Sequence, residues 1–341
     1  MKSMLALAVP MFVVGLSANA SITYELSVNG ALAKVNLKVV DQDGVAVPDA
    51  IIWGGFTSNR LKDSVLVDGA TNTNGEFVAQ GNCNEFLRVD VSKEGYYHTE
   101  VKVHFWLSKA DPIVVDGKWQ PYGETRTVVL KKIKNPIRLR DPDARCLYKH
   151  PVSGEWTGFD LVCGDWVSPL GKGKRADMMI RYVREPMPDG YFKSLDISFT
   201  NNPYAGVYLM NRDSYSEMDS VYEANTNGEY VGSLRYEFER TAKGNHIISE
   251  LGSGQYLVFR IRTEVDDDGN LISAHYGRIM GALQYLDPGG MVLGPVFYNP
   301  TPNDTNLEDA ETARLSRLGY EQRLEQQGQY KKKTRSKWVF W

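Results

Sequence analysis

Short runs in which apolar and polar residues alternate are the feature that most constrains the fold of this chain. Within residues 33–97 such runs occur at 35–39 and 87–91, where every second residue is apolar, and turn-forming pairs such as Asn74-Gly75 separate them. A period of two is that of a strand that buries one face, and Asn-Gly is a strong hairpin signal. The sequence therefore predicts a small antiparallel β-domain, with a strand that returns at 76–78.

A second set of turn-bounded strands follows the predicted linker Lys134-Asn135-Pro136. Its clearest alternation lies at 256–263, and Gly, Asn, Asp and Pro punctuate the runs. Strands that recur about every ten residues or more are typical of an all-β sandwich or barrel. We therefore expect domains at residues 33–132 and 135–300, followed by a C-terminal segment at 301–341.

Segments of the first domain also carry a family resemblance. In chain order they are VVDQDGVAVPDAIIW (39–53), TNTNGEF (71–77), VSKEGYY (91–97) and TVVLKK (127–132). Together they resemble the carboxypeptidase regulatory-like domain, a transthyretin-like (prealbumin-like) β-sandwich found beside peptidases and in many exported bacterial proteins. The resemblance implies a structural or binding role and brings no catalytic residues. The chain departs from it in an insertion at 57–68 and an irregular loop at 106–123, and such loops on rigid sheets often carry binding function.

The second domain resembles an uncharacterised domain of exported bacterial proteins. The resemblance lies in GFDLVCGDWVSPLGKGKRAD (158–177), SAHYGRIMG (273–281) and FYNPTPNDTNLE (297–308). It implies export and no particular activity. The fold class expected for the whole chain is all-β: a carboxypeptidase regulatory-like sandwich, a larger β-sandwich and a short C-terminal helix.

The first twenty residues have the three regions of a secretory signal peptide. Lys2 precedes an apolar run at 4–16, and Ala18-Asn19-Ala20 provides a cleavage site before Ser21. A membrane anchor is the alternative, but the run is shorter than the roughly 20 residues that span a bilayer, and no later run is long enough. We expect cleavage at about Ala20 and an exported protein, periplasmic or extracellular.

The composition argues against a nucleic-acid partner. Basic and acidic residues number 39 and 42, so the net charge is −3 and no basic footprint appears. Aromatic residues make up 11% of the chain, a content that suits packing on pleated sheets and also suits carbohydrate-binding faces.

Three cysteines leave the disulfide pattern open. Cys146 and Cys163 flank one segment and could form a disulfide in an exported protein, but both could equally be buried thiols. Cys83 is then left over, and we expect it to be buried rather than reactive.

The sequence contains no familiar catalytic motif. Asp160, Asp165 and Asp177 could supply the paired carboxylates of a glycosidase, but carboxylates near Gly and Trp are ordinary loop residues. The five histidines lack metal-ligand spacing, and there is no nucleophile elbow. We expect no catalytic, cofactor-binding or metal-binding residues.

Two glycine-containing segments imitate ligand loops. Gly171-Lys172-Gly173-Lys174 lacks the spacing of a phosphate-binding loop, which favours a solvated basic loop. Glu264, Asp266 and Asp268 match half of a calcium loop, but His275 stands where the final glutamate belongs. A hairpin turn is the preferred interpretation of that segment.

The C-terminal segment predicts a helix capped by Asn306 that could end at Gly328. A basic and aromatic tail follows. It is either a frayed terminus or a surface and partner anchor, whose contacts would come from Lys331, Lys332, Lys333, Trp338, Phe340 and Trp341.

These patterns favour a non-catalytic binding or accessory protein of the cell envelope or extracellular space, with a glycan or a protein as ligand. One alternative is a glycan or peptide hydrolase with its site in the second domain. Another is a structural component of an envelope assembly. An exposed aromatic face on a sheet would favour glycan binding, whereas a pocket that joins an aspartate to a histidine would favour the hydrolase.

Overall fold

The computed structural model describes residues 29–57, 65–105, 114–140, 147–199, 204–212, 216–249, 254–281, 284–286 and 290–337. The chain divides into two compact units. The first comprises the chain up to Lys132, Tyr215–Glu217 and Ser316–Trp341, and the second comprises Ile133–Ser214 and Met218–Leu315. The predicted signal peptide at 1–20, Cys146, Trp338, Phe340 and Trp341 lie outside the described residues.

The first unit contains two sheets, of which one is antiparallel throughout and the other also has parallel pairs, so the expectation of a purely antiparallel domain was wrong. Their strands are β1 (Ala31–Asp41), β2 (Ile51–Phe56), β3 (Val65–Ala70), β4 (Glu76–Cys83), β5 (Phe86–Ser92), β6 (Thr99–His104), β7 (Val114–Val115), β8 (Lys118–Trp119) and β9 (Glu124–Leu130). One sheet has the order β4-β1-β8-β7, with β9 also paired to β1, and the other has the order β3-β2-β5-β6.

The core of this unit lies between the two sheets. Every second residue of β1 is buried, so the alternation seen in the sequence places Val35 and Leu37 inside. Ile52 and Leu87 of the opposite sheet belong to the same buried cluster. The predicted all-β sandwich is therefore confirmed for this part of the chain.

Two other sequence interpretations within the first unit were wrong. The Asn74-Gly75 turn joins β3 to β4, which pair with β2 and β1 in different sheets, so it is not a hairpin. The segment at 106–123 was expected to be irregular, yet it contains the short strands β7 and β8. Trp119 of β8 is fully buried and donates its indole N–H to the carbonyl of Cys83 at 2.8 Å. A buried indole with a satisfied N–H needs a fixed position, which explains why this stretch is ordered into strands.

The second unit contains the remaining strands. They are β10 (Leu147–Lys149), β11 (Thr157–Asp160), β12 (Asp165–Trp166), β13 (Met178–Met187), β14 (Gly190–Phe199), β15 (Gly206–Asn211), β16 (Ser233–Thr241), β17 (Gly244–Ser249), β18 (Gln255–Val265), β19 (Leu271–Met280), β20 (Gln284–Leu286), β21 (Gly290–Val292) and β22 (Val296–Tyr298). They form a six-stranded sheet (β12-β11-β13-β14-β16-β17), a four-stranded sheet (β15-β18-β19-β22) and a three-stranded sheet (β10-β21-β20).

Both faces of β18 are buried. Leu257 and Phe259 lie in the main core together with Ile180 and Leu195 of the six-stranded sheet. The alternate residues of β18 lie in a second cluster on its other face. The four-stranded sheet is therefore an inner layer, and the prediction of a second, larger β-sandwich is confirmed.

The C-terminal helix, α1, spans Ala310–Lys337. Its N-cap is Asp309, which accepts the N–H of Thr312 at 2.8 Å, whereas Asn306 accepts the N–H of Glu308 in the preceding turn. The helix also continues past Gly328, because a glycine costs only about 1 kcal/mol in a helix interior. No described helix is both long and apolar enough to cross a membrane.

A matched pair of leucines measures how much the first core contributes. Leu37 is 1% exposed in β1, whereas Leu66 is 45% exposed in β3. We expect Leu37→Ala to lower the free energy of unfolding by about 2–5 kcal/mol and Leu66→Ala by less than about 1 kcal/mol. Urea titration of both variants checks this, and equal losses would contradict the assigned core.

Candidate functional site

The aspartates identified in the sequence lie in the second unit, where two of them share one arginine. Arg262 of β18 donates Nε–H to Asp177 Oδ1 at 2.9 Å and Nη2–H to Asp160 Oδ1 at 3.1 Å. Its Nη2 also reaches Asp177 Oδ2 at 3.2 Å. Both carboxylates are buried, with 3% exposure each. The group is a buried ion cluster, and not an open pair of carboxylates.

The Asp160 carboxylate is saturated with hydrogen bonds. Besides Arg262, it accepts the backbone N–H groups of Val162, Cys163, Lys174 and Arg175. Burial acts to raise the pKa of Asp160, but these N–H groups and the Arg262 charge outweigh it and hold the pKa below its usual range. Asp160 therefore organises the loop around it and has no lone pair left for proton transfer to a substrate.

Asp177 and Asp165 also bond to this loop. Burial raises the pKa of Asp177 despite Arg262, while its Oδ2 accepts the N–H of Leu161 at 3.0 Å. Asp165 accepts the N–H of Lys172 at 2.9 Å, so the glycine-lysine stretch is tied to a carboxylate and its N–H groups do not form a phosphate cradle. The loop is thus built around acidic side chains that point inward.

Arg262 reaches the aspartates through an irregular backbone. Its φ of +52° lies in the left-handed region, at a register shift in the β18–β19 pairing. On the same side, the Tyr298 hydroxyl lies 2.9 Å from His275 Nδ1, and the two rings stack at 5.4 Å. Burial lowers the pKa of His275. We interpret this cluster as a structural ion cluster that stabilises the second sandwich.

Asp160→Asn tests whether this ion cluster stabilises the second unit. The amide would place an N–H group against backbone donors and leave part of the Arg262 charge unpaired, so we expect a loss of about 3 kcal/mol or more in unfolding free energy. Asp267→Asn, in an exposed turn, is the control and should change stability by less than about 0.5 kcal/mol. Thermal and urea unfolding distinguish the two, and a small loss for Asp160→Asn would contradict the structural role.

A surface trough in the first unit is the better candidate for a ligand site. It lies on the outer face of the β3-β2-β5-β6 sheet and has a volume of about 310 Å³. Its lining consists of Trp53, Gly54, Gly55, Phe56, Thr57, Phe86, Arg88 and Asp90. This volume is at the lower end of the range for small-ligand pockets in proteins.

The strand pairing explains the shape of the trough. Trp53 lies opposite Asp90, and Gly55 lies opposite Arg88, in the pairing of β2 with β5. Because side chains alternate, Trp53 and Gly55 share the outer face, and Gly55 has no side chain there. Thr57 follows the end of β2, and its hydroxyl donates to the carbonyl oxygen of Phe86 at 2.9 Å. Four residues at about 3.3 Å each separate Trp53 from Thr57, so the floor is roughly 13 Å long.

The Phe86 end of the trough is apolar at its base and cationic at its rim. Lys102 Nζ lies 3.9 Å from the centroid of the Phe86 ring, and the His104 ring lies 5.5 Å from it. Arg88 has 62% of its side chain exposed and forms an ion pair with Glu100. This end therefore offers an aromatic surface beside hydrogen-bond donors.

The Trp53 end is held by charged groups. Asp90 Oδ2 accepts from Arg323 Nη2 at 2.6 Å, and Asp90 Oδ1 lies 3.3 Å from His98 Nε2. His98 Nδ1 lies 3.6 Å from Glu217 Oε1. Burial acts to raise the pKa of Asp90, but the hydrogen bond from His98 and the charges of Arg323 and Arg88 outweigh it and lower the pKa.

This lowered pKa predicts that the unfolding free energy of the first unit falls at acidic pH. The stabilisation is complete above the ordinary aspartate pKa of about 3.9 and is lost as pH falls through the lowered pKa of Asp90. We expect Asp90→Asn to flatten the dependence of unfolding free energy on pH between about 5 and 2. Urea titrations of both proteins across that range measure it, and parallel curves would contradict the assignment.

Other residues singled out in the sequence lie elsewhere. Cys83 is fully buried, and burial raises the pKa of its thiol to about 11, so it is not a nucleophile at neutral pH. Cys163 is exposed, and its pairing with Cys146 stays a prediction. Asp266 accepts the N–H of Asn270 at 2.7 Å within the turn between β18 and β19. The backbone of the tail residues Lys331, Lys332 and Lys333 is part of α1.

Sequence inspection missed the trough because no local motif marks it. Trp53 is the last residue of the 39–53 segment of the family resemblance, and neither it nor the adjacent Gly54-Gly55 belongs to a ligand-binding motif. The insertion expected at 57–68 borders the trough through Thr57, but its last residues belong to β3. A bare glycine beside an outward aromatic was the one available signal.

Comparison with known proteins adds no assignment. No family model matches the chain, and no curated protein matches it. A 3-chlorocatechol 1,2-dioxygenase from Rhodococcus opacus shares 17% identity over 30% of this chain and 61% of its own, with a TM-score of 0.24. A streptococcal ancillary pilin shares 13% identity over 82% of this chain and 62% of its own, with a TM-score of 0.22.

The major pilin BcpA of Bacillus cereus shares 14% identity over 82% of this chain and 100% of its own, with a TM-score of 0.20. The chain spans about three fifths of the length of the dioxygenase and of the ancillary pilin. At such TM-scores, the likenesses carry no argument about ligand or activity.

Proposed function

We propose that this chain is an exported, non-catalytic carbohydrate-binding protein that holds a short stretch of a glycan in the trough of its first unit. The observation that carries the proposal is the outward-facing Trp53 beside bare Gly55 on a sheet face that also presents Arg88 and Asp90. Sugar rings have an apolar C–H face and a rim of hydroxyl groups. An aromatic surface next to hydrogen-bonding side chains is complementary to both.

The geometry favours a glycan over an extended peptide. β2, which forms the trough floor, is paired on one side with β3 and on the other with β5, so its backbone N–H and C=O groups are already used. A peptide that binds by strand addition needs a free sheet edge. Recognition here must come from side chains and ring stacking, which suits a carbohydrate.

The second unit supports a scaffold role better than the hydrolase alternative. Asp177 is linked to His275 indirectly, because Arg262 bonds to Asp177 and lies over the ring of Tyr298, whose hydroxyl contacts His275. The Asp160 carboxylate is fully engaged by backbone N–H groups. Hydrolysis is therefore kept as an outcome of the test below.

The resemblance to a carboxypeptidase regulatory-like domain and the predicted signal peptide fit this proposal. The resemblance implies a structural or binding role, and the signal peptide implies a location in the periplasm or outside the cell. A purely structural role in an envelope assembly, with the tail residues as contacts, is the remaining alternative, and it requires no glycan.

Trp53→Ala is the direct test. We screen the purified protein against a panel of polysaccharides and measure affinity for those it binds, while assaying the same samples for released sugars. Removing the stacking surface should weaken binding by tenfold or more, since truncating a central aromatic anchor commonly costs over 1.4 kcal/mol. Wild-type protein should release no sugars.

Trp156→Ala is the matched control, because Trp156 is 44% exposed on the second unit and lies outside the trough. It should bind as the wild type does. Binding that survives Trp53→Ala would contradict the site, and an absence of any polysaccharide ligand would contradict the function. Sugar release abolished by Asp165→Asn would favour the hydrolase.

A further inference from the structure

We infer that Arg323 of the C-terminal helix is a positioning residue of the trough, so that α1 is part of the binding site of the first unit. The inference rests on the proposed function. Arg323 contacts two of the residues that line the trough, Trp53 and Asp90, and also donates to Gln326 of its own helix. Nothing in the sequence between them indicates this, because Arg323 and Asp90 are 233 positions apart.

The contacts of Arg323 are specific to its guanidinium group. Nη2 donates to Asp90 Oδ2 at 2.6 Å, while Cζ lies 5.8 Å from the centroid of the Trp53 ring. That separation is within the range of a cation–π interaction. One planar group therefore restrains both the carboxylate and the indole at the same end of the trough.

The approach of the helix to this sheet is anchored independently of Arg323. The Ser316 hydroxyl donates to Glu217 and accepts the backbone N–H of His98 at 3.3 Å. Ser316, Tyr320 and Arg323 are spaced by four and three residues, so they lie on one face of α1, and all three are at least partly buried. The contacts of Ser316, about two turns before Arg323, therefore fix the position of the helix at the trough.

Pre-ordering of Trp53 and Asp90 should strengthen binding. A ligand that must itself immobilise these side chains loses part of its interaction free energy to their rotamer entropy. We expect Arg323→Ala to weaken polysaccharide binding about three- to tenfold. Arg323→Lys keeps a charge opposite Asp90 but lacks the planar group, and should fall between Arg323→Ala and wild type.

Thermodynamic linkage between the helix and the ligand provides a second measurement. Its result would not change if Arg323 only stabilised the fold. If helix docking favours ligand binding, ligand binding must favour helix docking by the same factor. We therefore expect the polysaccharide to slow amide hydrogen exchange in residues 316–326 of the wild-type protein, with no such slowing in Arg323→Ala. The exchange measurement on the wild-type protein does not depend on whether the variant folds.

The controls separate this inference from the proposed function. Arg317 is an exposed arginine on the same helix, and Arg317→Ala should bind and exchange as the wild type does. If Trp53→Ala abolishes binding while Arg323→Ala binds as wild type, only the inference is overturned. Ligand binding without slower exchange in the helix overturns it as well. If the protein binds no polysaccharide, the proposed function fails and this inference fails with it.

Discussion

Burial of the apolar face of β1 against the opposite sheet is the interaction on which the first unit depends. Val35 and Leu37 lie in one cluster with Ile52 and Leu87, and β1 itself pairs with β4, β8 and β9. Since strand side chains alternate, burying Ile52 and Leu87 forces their neighbours Trp53 and Arg88 to the outer face. The trough is thus a consequence of the core, and a register slip of one residue would destroy both.

In the second unit, buried charge has the corresponding role. Arg262 joins carboxylates from either end of the 158–177 segment, while Asp160 accepts the N–H groups along it. A buried ion cluster of this kind adds little net stability compared with apolar packing, but it is costly to break. Its value is to specify one conformation for the glycine- and lysine-rich part of this loop, which lies beyond the core residues Phe159, Leu161 and Trp166. The same hydrogen bonds leave the Asp160 carboxylate without a free lone pair.

The proposed binding role fits the sheet on which the trough lies. The trough presents its aromatic and polar groups on a paired, rigid sheet, so little has to reorganise on binding. Its Trp53 end is held by side chains from three separate stretches of the chain: Asp90 and His98 from around β5 and β6, Glu217, and Arg323 from α1. Such convergence is typical of a site whose geometry is determined by tertiary packing.

The sequence by itself determined the all-β class, the strands with alternating faces and the presence of a C-terminal helix, because side-chain periodicity and turn preference are local properties. Only the tertiary structure decided that Asn74-Gly75 connects two sheets instead of forming a hairpin, since strand partners are chosen by core packing over long distances. The same holds for the pairs that define each cluster: Arg262 and Asp160 are 102 positions apart, and Arg323 and Asp90 are 233 apart. No local sequence pattern reveals contacts over such separations. A tryptophan beside a glycine lines a trough only when the sheet around it has folded.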